Sequence, residues 1–316
     1  MKGRGLKTQI FLSFVAVIIF LVLCIAVFRS YVIRTEIVAR AQRQVKNDLK
    51  AARSIYSGEL ERIEKMFGLA SASGQAPGAL KKMMGLDYMY RVSAGDAGSV
   101  KSDIARKAFD GNAIGGTRII GADELKEMGE DIRRKAEIDV VFTEKARPSD
   151  VKVLRSAMAM EYAVPLFDTA GAVTGLMFGG RILNRDFSLV DDMRDMVFEN
   201  RLYGGKPVGT VTIFQDDIRI ATNVLDKKGE RAIGTRVSDT VYDTVLNRGL
   251  PWRDRAFVVT DWYLTAYEPI RDINGDVIGM LYVGTLERPF KDLERASIFG
   301  VAAIAGLAAL LAAALS

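Results

Sequence analysis

The chain has 316 residues, of which 49% are hydrophobic and 26% charged, and it contains no histidine. The lack of histidine excludes Ser-His and Cys-His nucleophile pairs, histidine metal ligands and a phosphorylated histidine. The net charge is +5 without a long basic run, and the single cysteine, Cys24, lies in an apolar segment, so a nucleic-acid surface, a disulfide framework and a thiolate metal cluster are also excluded. We therefore expect no metal, no cofactor, no nucleic-acid partner and, since phosphate-loop and dinucleotide motifs are absent, no enzyme.

Residues 10–28 form an uncharged run that follows Lys2, Arg4 and Lys7. At 1.5 Å per residue the run spans about 28 Å, close to the thickness of the hydrocarbon core of a bilayer. The basic start predicts that residues 1–9 are cytoplasmic. The length of the run, and the lack of a small-residue cleavage pattern at its exit, favour a transmembrane helix over a cleaved signal peptide.

Residues 29–67 contain no proline and only one glycine, and their apolar residues recur at steps of three and four. This spacing predicts one long amphipathic stalk helix over 29–68. The helix can pack on its own domain alone, or use a second stripe to meet another copy of itself.

The central region contains an internal repeat. The segment EYAVPLFDTAGAVTGLMFGG at 161–180 aligns without a gap with TAYEPIRDINGDVIGMLYVG at 265–284, and the offset of 104 matches Pro165 with Pro269 and Gly171 with Gly275. Each copy reads as strand, tight turn and strand, because Asp and Gly favour the turn conformation. The repeat predicts two related modules.

The second module, 201–292, is predicted to follow the order strand, strand, helix and three strands, which gives an antiparallel five-stranded sheet with helical cover. Its helix is expected over 238–247, with Ser238 as the N-cap. The first module, 69–200, is less regular, with loops and an inserted helix near 123–135 and strands at 139–143 and 153–160. A second uncharged run at 298–315 predicts a second transmembrane helix, after which the chain either continues in a longer protein or works through partners.

Three segments of the second module, GTVTIFQDDIRIATNV (209–224), GTRVS (234–238) and WYLTAYEPIRD (262–272), resemble the extracellular Cache sensor family. The subtype is similar to the Cache 3/Cache 2 fusion of bacterial chemoreceptors (methyl-accepting chemotaxis proteins) and sensor histidine kinases. The resemblance implies an α+β fold in which a long N-terminal helix precedes two PAS-like modules with five-stranded sheets, between two membrane helices. It also implies a small-molecule ligand such as an organic acid or amino acid, a homodimer, and a multi-pass inner-membrane protein whose central domain is periplasmic. No cytoplasmic output module follows 298–315, so that module or partner is expected outside this sequence.

The ligand is predicted to bind on one face of a sheet. In the second module, alternation along 263–269 brings Tyr263, Thr265 and Tyr267 to one face, where rings and hydroxyls suit a small polar ligand. Arg219 is an isolated cation between two isoleucines, which requires either an ion pair with Asp216 or Asp217 or a ligand carboxylate. Thr222 and Arg255 are further candidates, although Arg255 could instead end its strand in solvent.

In the first module the candidate ligand-binding residues are Arg118, Arg155 and Tyr162, and the sequence does not rank the two sites. Two functions remain open. The first is the ligand-sensing region of a transmembrane receptor, which would transmit a conformational signal through the membrane. The second is a membrane-anchored binding or scaffold protein without its own signalling output, whose pocket is filled by side chains.

Overall fold

The computed structural model describes residues 6–71 and 76–314, which form an α+β chain with one very long helix and antiparallel sheets. The chain divides into two compact units. The terminal unit contains the residues before Val45 together with those from Leu286 onward, and the central unit runs from Val45 to Thr285.

Helix α1 runs without interruption through Leu6–Ser71, so the long helix predicted over 29–68 is confirmed. The part of α1 within the central unit buries residues at steps of three, four or seven, as one face of a helix requires. These buried residues are Val45, Leu49, Ala52, Tyr56, Ile63 and Phe67.

Helix α8, Arg288–Ala314, completes the terminal unit. The predicted membrane segments coincide with the early part of α1 and the late part of α8, except that Leu315 lies outside the described residues. Within 6–71 and 76–314, no helix satisfies the length and apolarity needed for a membrane crossing.

The first module is built on a four-stranded antiparallel sheet in the order β1-β6-β5-β2. Its strands are β1 (Tyr88–Ser93), β2 (Ile114–Ile120), β5 (Ala157–Phe167) and β6 (Val173–Ile182). The remaining elements are helices α2 (Pro77–Met84), α3 (Asp103–Ala108), α4 (Ala122–Met128) and α5 (Glu130–Ala136), a 3₁₀ turn at Ala94–Ser99, and a small hairpin of β3 (Ile138–Asp139) and β4 (Val153–Leu154).

The prediction of five strands in the first sheet is wrong. The charged stretch after β2 forms α4 and α5, each with acidic residues in its first turn and basic residues in its last turn, an arrangement that stabilises short helices. Gly129, with φ of +114°, separates the two helices. Of the strand expected at 139–143 only Asp139 is in a strand, β3. The strand expected at 153–160 divides into β4 and the first residues of β5, and of these two only β5 belongs to the four-stranded sheet.

The second module has the five-stranded antiparallel sheet that the sequence predicts, in the order β10-β9-β13-β12-β11. Its elements are the short hairpin of β7 (Leu202–Tyr203) and β8 (Lys206–Pro207), then β9 (Gly209–Gln215), β10 (Ile218–Thr222), α7 (Asp239–Tyr242), β11 (Trp252–Val258), β12 (Asp261–Arg271) and β13 (Val277–Leu286). Helix α6 (Phe187–Phe198) lies within the bounds predicted for the first module but packs on β9 and β10. The helix expected over 238–247 is α-helical only in α7 and continues as a π-helical turn at Asp243–Asn247. Ser238 stands at the N-cap position, but its side chain makes no capping hydrogen bond.

The two repeated hairpins, β5–β6 and β12–β13, have the same turn. In both, the turn aspartate accepts two backbone N–H bonds through its carboxylate: Asp168 from Ala170 and Ala172, and Asp272 from Asn274 and Asp276, at 2.8–3.0 Å. Gly171 and Gly275 both adopt positive φ, +83° and +91°, which glycine tolerates without strain. The similarity found in the sequence is thus a similarity of structure.

One face of each sheet contributes to a shared apolar core with α1 and α6. From the second sheet this core takes Val211, Ile213, Ala266, Leu281 and Val283, and from the first it takes Met158, Met160, Val164 and Met177. The opposite face of the first sheet packs on a second apolar cluster that includes Ile104, Leu125 and Phe178. The opposite face of the second sheet is polar and aromatic, and it forms the candidate site.

Candidate functional site

The candidate site lies on the face of the second sheet that points away from α1. Strand β9 contributes Thr210, Thr212 and Phe214, and the registered partners of these residues on β13 are Gly284, Tyr282 and Met280. Strand β12 adds Tyr263, Thr265 and Tyr267, the three residues that alternation predicts on one face. All these side chains are buried, so the site is an interior polar face and not an open groove.

Arg219 on β10 is the only arginine on this face, among the described residues, that is both buried and without a carboxylate partner. It is 4% exposed, and its Nη1 donates at 3.3 Å to the Thr212 hydroxyl and at 3.4 Å to the Thr222 hydroxyl. Its guanidinium carbon lies 5.0 Å from the centre of the Phe214 ring, and its buried Nε has no hydrogen-bond partner. The cation is therefore held by neutral groups, with one donor unused.

Burial lowers the pKa of Arg219 below its ordinary value, and the hydroxyls of Tyr282, Tyr267 and Tyr263 act in the opposite direction without restoring it. A guanidinium stays protonated in proteins, so the lowered pKa means that burying this charge without a counter-ion costs free energy. An anion at this position would remove part of that cost.

The local ion pair, which was the alternative for Arg219, is not formed. Asp217 instead accepts from Arg236, at 2.8 Å from its Nε. Asp216 occupies the turn between β9 and β10 with φ of +49°, and burial, followed by the charge of Asp217, raises its pKa. Asp217 is thus engaged with Arg236, and neither turn aspartate forms an ion pair with Arg219 among the described residues.

Aromatic rings pack closely around the arginine. The Tyr267 ring lies 4.8 Å from Tyr282 and 5.6 Å from Trp252, measured between centroids, and Phe214 lies 6.2 Å from Tyr267. Burial raises the pKa of Tyr263 and of Tyr267 to about 12, so both hydroxyls remain protonated and can donate hydrogen bonds.

Thr222 and Thr265 are both buried on this face. The Thr222 hydroxyl lies 2.6 Å from that of Thr212, and the Thr265 hydroxyl donates to the Asp254 carbonyl at 2.9 Å. Tyr282, which sequence reasoning missed, lies at the centre of the face and contacts the Thr210 hydroxyl at 3.2 Å. Alternation along 277–283 places Tyr282 on the same face as Met280, because the two residues are two positions apart in the strand.

Arg255 does not belong to this face. It pairs with Leu264 in the register of β11 and β12, whereas Ala256 pairs with Tyr263 and Asp254 with Thr265. Since neighbouring residues point to opposite faces of a sheet, Arg255 lies on the far side, exposed, with its guanidinium carbon 3.8 Å from the centre of the Trp262 ring.

Arg118 in the first module is surrounded by carboxylates. Its Nη1 and Nη2 donate to Glu124 at 2.9 and 2.6 Å, and Nη1 also donates to the fully buried Glu161 at 3.1 Å. Glu161 further accepts from the hydroxyls of Tyr88, at 2.7 Å, and Ser102.

The electrostatics of Arg118 are opposite to those of Arg219. Burial acts to lower the pKa of Arg118, but the hydrogen bond to Glu124 and the charge of Glu161 outweigh it and raise that pKa above its ordinary value. Burial also raises the pKa of Glu161, against the effects of Arg118, Ser102 and Tyr88. The first module thus neutralises its own cation.

The other two candidates in the first module do not join Arg118. The Arg155 side chain is 65% exposed, 3.8 Å from Glu137. Tyr162 follows Glu161 on β5 and so points to the opposite face, where its hydroxyl donates to Glu64 of α1 at 3.0 Å and its ring lies 5.8 Å from Phe67.

The repeat allows the two faces to be compared residue by residue. At the offset of 104, Glu161 stands where the second module has Thr265, Ala159 and Ala163 stand where it has Tyr263 and Tyr267, and Phe178 stands where it has Tyr282. The first module has replaced three tyrosines by two alanines and a phenylalanine, and a threonine by a carboxylate. In the described part of the chain, no group of Cys, Asp and Glu side chains is arranged to hold a metal ion in either module.

A family model described as single Cache domain 3 matches residues 181–297. These residues include β9 to β13 and therefore the whole of the Arg219 face. Residues 181–297 are thus similar to the Cache family. The resemblance noted in the sequence is confirmed over this range, which includes Arg219, Thr222, Tyr263, Thr265 and Tyr267.

No curated protein matches the chain by sequence. Among solved structures, the periplasmic domain of LuxQ from Vibrio cholerae is 14% identical with a TM-score of 0.39, and the alignment covers 77% of this chain and 99% of that one. The ligand-binding domain of the Pseudomonas aeruginosa amino acid chemoreceptor PctB, in complex with L-Gln, is 10% identical with a TM-score of 0.34, covering 79% and 91%. The ligand-binding domain of the Pseudomonas fluorescens chemoreceptor CtaA, in complex with L-leucine, is 11% identical with a TM-score of 0.36, covering 82% and 99%. TM-scores of this size do not establish a shared fold.

Proposed function

We propose that this chain is the ligand-sensing region of a bacterial transmembrane receptor, and that it binds a small carboxylate or amino acid on the Arg219 face of the second module. The observation that carries this proposal is the buried Arg219, whose Nε has no partner and which no carboxylate neutralises. A ligand carboxylate can accept two parallel hydrogen bonds from a guanidinium, and such a bond is among the stronger ones in proteins. The similarity of residues 181–297 to the Cache family supports the proposal, since Cache domains are ligand-binding modules.

The residues proposed to bind the ligand are Arg219, Thr222, Tyr263, Thr265 and Tyr267, together with Tyr282. The arginine would hold the carboxylate, the tyrosine rings would form the walls, and the protonated hydroxyls would orient the rest of the ligand. Arg118, Arg155, Tyr162 and Arg255 are not proposed as ligand-binding residues, because the first is neutralised by carboxylates and the others point elsewhere.

The proposed setting is the inner membrane. The uncharged runs at 10–28 and 298–315 would span it, with residues 1–9 on the cytoplasmic side and the modules at 69–200 and 201–292 on the periplasmic side. The receptor would act as a homodimer along the stalk at 29–68, and its output would come from a cytoplasmic module or partner. Ligand binding would shift the population between two arrangements of the central unit and so displace α8.

The ligand proposal is tested by thermal denaturation of the full chain in lipid nanodiscs, against a panel of acetate, pyruvate, malate, citrate, L-glutamine and L-leucine. We expect at least one compound to raise the melting temperature of the wild-type chain, because a ligand that binds only the folded state stabilises it. The same compound should leave Arg219→Ala unshifted. Arg155→Ala is the matched control, since it removes an exposed arginine from the other module and should respond like the wild type.

The alternative, a membrane-anchored binding or scaffold protein without its own output, is favoured by one observation. The rings of Phe214, Tyr267 and Tyr282 lie 4.8–6.5 Å apart, so side chains occupy much of the face themselves. If no compound in the panel shifts the wild type, while Arg219→Ala melts at a higher temperature, the face is a filled core and the alternative stands.

The membrane setting is tested separately by protease treatment of spheroplasts. Digestion from outside should remove the central unit and leave the two membrane segments protected. Full protection of the central unit would place it in the cytoplasm and contradict the proposed orientation.

A further inference from the structure

The second module exposes aromatic and aliphatic side chains at one end of its sheet. Phe257 on β11 is 51% exposed and Trp262 on β12 is 40% exposed, and the two residues pair directly across the strands with ring centroids 5.6 Å apart. Leu202, on the short hairpin β7–β8, is 66% exposed. Lys206 of that hairpin ties it to the same end, because its Nζ lies 2.6 Å from the Asp261 carboxylate. Large exposed apolar side chains that occur together mark an interaction surface.

Basic side chains surround these apolar residues. Arg255 stacks on the Trp262 ring at 3.8 Å, and Lys206 and Arg201 are exposed on or beside the short hairpin. Arginine and lysine suit a surface with anionic groups, and their aliphatic stems can lie along apolar surface. The combination of tryptophan, phenylalanine and cations is typical of segments that lie at a membrane interface.

The turn between β11 and β12 has a valine at a position where the backbone conformation favours glycine. Val259 adopts φ of +55°, a conformation that a β-branched residue rarely enters and that glycine would adopt freely. The valine keeps an apolar side chain at the tip, directly after Phe257 and Val258. Strained residues of this kind persist where the surroundings or the function require them.

The position of this end of the sheet points to a lipid surface. Strand β13 ends beside the start of β9, where Thr285 pairs with Gly209, and the chain then continues into α8 and the uncharged run at 298–315. Strand β12 begins at Asp261 and runs antiparallel to β13, so the turn with Phe257 and Trp262 lies at the same end of the sheet as Thr285. The exposed residues are therefore at the end from which the chain departs toward its proposed membrane segment.

We propose that the surface formed by Arg201, Leu202, Lys206, Arg255, Phe257 and Trp262 rests on the membrane, with the rings in the interfacial region and the cations on anionic lipid head groups. This inference rests on the membrane anchoring of the proposed function. It would give the second module a support on the membrane, against which a ligand-induced movement of the sheet would act.

The test uses the two tryptophans of the chain, of which Trp262 lies on this surface and Trp252 lies beside Tyr267 on the candidate ligand face. The full chain is placed in nanodiscs of phosphatidylcholine and phosphatidylglycerol that contain lipids brominated close to the head group, which quench tryptophan on contact. The variant Trp252→Phe, in which only Trp262 emits, should lose fluorescence relative to discs without bromine. The variant Trp262→Phe, in which only Trp252 emits, is the matched control and should lose none.

The outcomes separate this inference from the membrane proposal. If the chain elutes with the discs but Trp262 is not quenched, the inference is overturned and the anchoring remains. If the chain does not elute with the discs, both are overturned. A third outcome is that the brominated lipids do not quench Trp262 and that Trp262→Cys, in a Cys24→Ser background, forms a disulfide between two copies of the chain. The surface is then a dimer contact, and the inference is again overturned.

A second arm tests the cations. Replacing Arg201 and Lys206 together by Gln should reduce the quenching of Trp262 in discs that contain phosphatidylglycerol and leave it unchanged in discs of phosphatidylcholine alone. Arg155→Gln should have no effect in either disc. An equal reduction by Arg155→Gln, or a reduction that is independent of phosphatidylglycerol, would overturn the role of the cations.

Discussion

The two modules each bury an arginine against the face of a sheet that points away from α1, but only one of them supplies its counter-ion. Arg118 in the first module is held by Glu124 and Glu161, while Arg219 in the second is held only by threonine hydroxyls and aromatic rings. Removing one member of a buried ion pair destabilises a protein strongly, whereas replacing an uncompensated charge by an apolar residue can stabilise it. Similar residues on the two sheets therefore have opposite surroundings: Arg118 is part of a buried ion-pair network, whereas Arg219 is the residue that we propose to bind the ligand.

The largest effect is expected from Glu161→Ala. This substitution leaves Arg118 with Glu124 alone and removes the acceptor of the Tyr88 and Ser102 hydroxyls, so we expect a loss of about 3–5 kcal/mol in the free energy of unfolding. Urea denaturation of the chain, followed by circular dichroism, measures it. Arg155→Ala, in the same module but exposed, should change that free energy by less than about 0.5 kcal/mol. Equal losses in the free energy of unfolding for Glu161→Ala and Arg155→Ala would show that the buried network around Glu161 does not stabilise the first module.

The next largest effect has the opposite sign. Arg219→Met removes a buried cation without a counter-ion, whose Nε lacks a partner, and fills the same space with an apolar side chain, so we expect the ligand-free chain to be unchanged or stabilised by about 1–3 kcal/mol. The same denaturation experiment measures the change, in buffer without carboxylates. A clear destabilisation of the ligand-free chain would mean that the threonines and rings already satisfy Arg219, and the contrast between the modules would fail.

The smallest effect concerns the turn that the two modules share. Gly171→Ala and Gly275→Ala each place a side chain at positive φ without a neighbour within 4 Å of the new Cβ, so we expect each to cost about 1–2 kcal/mol through backbone strain alone. The free energies of unfolding of the two variants are measured by denaturation side by side. Equal losses would show that the two hairpins are equivalent and that the modules differ only in the side chains on their sheet faces. A cost for Gly275→Ala that is several times larger would show that the second hairpin depends on its turn in a way the first does not.

Local patterns predicted much of the fold. The lack of proline and the three- and four-residue steps predicted α1, and Asp168, Gly171, Asp272 and Gly275 predicted the two hairpins. The second sheet followed because its strands are bounded by short turns. The helix expected near 123–135 forms as α4 and α5, but the first sheet was overestimated because the strands expected after it reduce to the small hairpin of β3 and β4 and the start of β5.

The residues of the candidate site were predictable only where the pattern within a single strand determines which face a side chain occupies. Arg219 was identified as an isolated cation on an apolar strand, and Tyr263, Thr265 and Tyr267 by alternation within β12. The two alternatives for Arg255, the pocket or solvent, could not be separated from the sequence because its face depends on the register between β11 and β12, which a single strand does not reveal. The pairing of Arg118 with Glu161 joins residues 43 positions apart, and no local pattern announces such a contact.

We propose that Arg219 holds the carboxylate of the ligand. Isothermal titration of the compound that most stabilises the wild-type chain, into the wild type and into Arg219→Met, measures the contribution of this arginine to binding. Hydrogen bonds to charged groups contribute about 1.5–3 kcal/mol. We therefore expect Arg219→Met, which remains folded, to bind the compound about 10- to 150-fold more weakly than the wild type. Affinities that agree within about twofold, a free-energy difference of under about 0.5 kcal/mol, would contradict it.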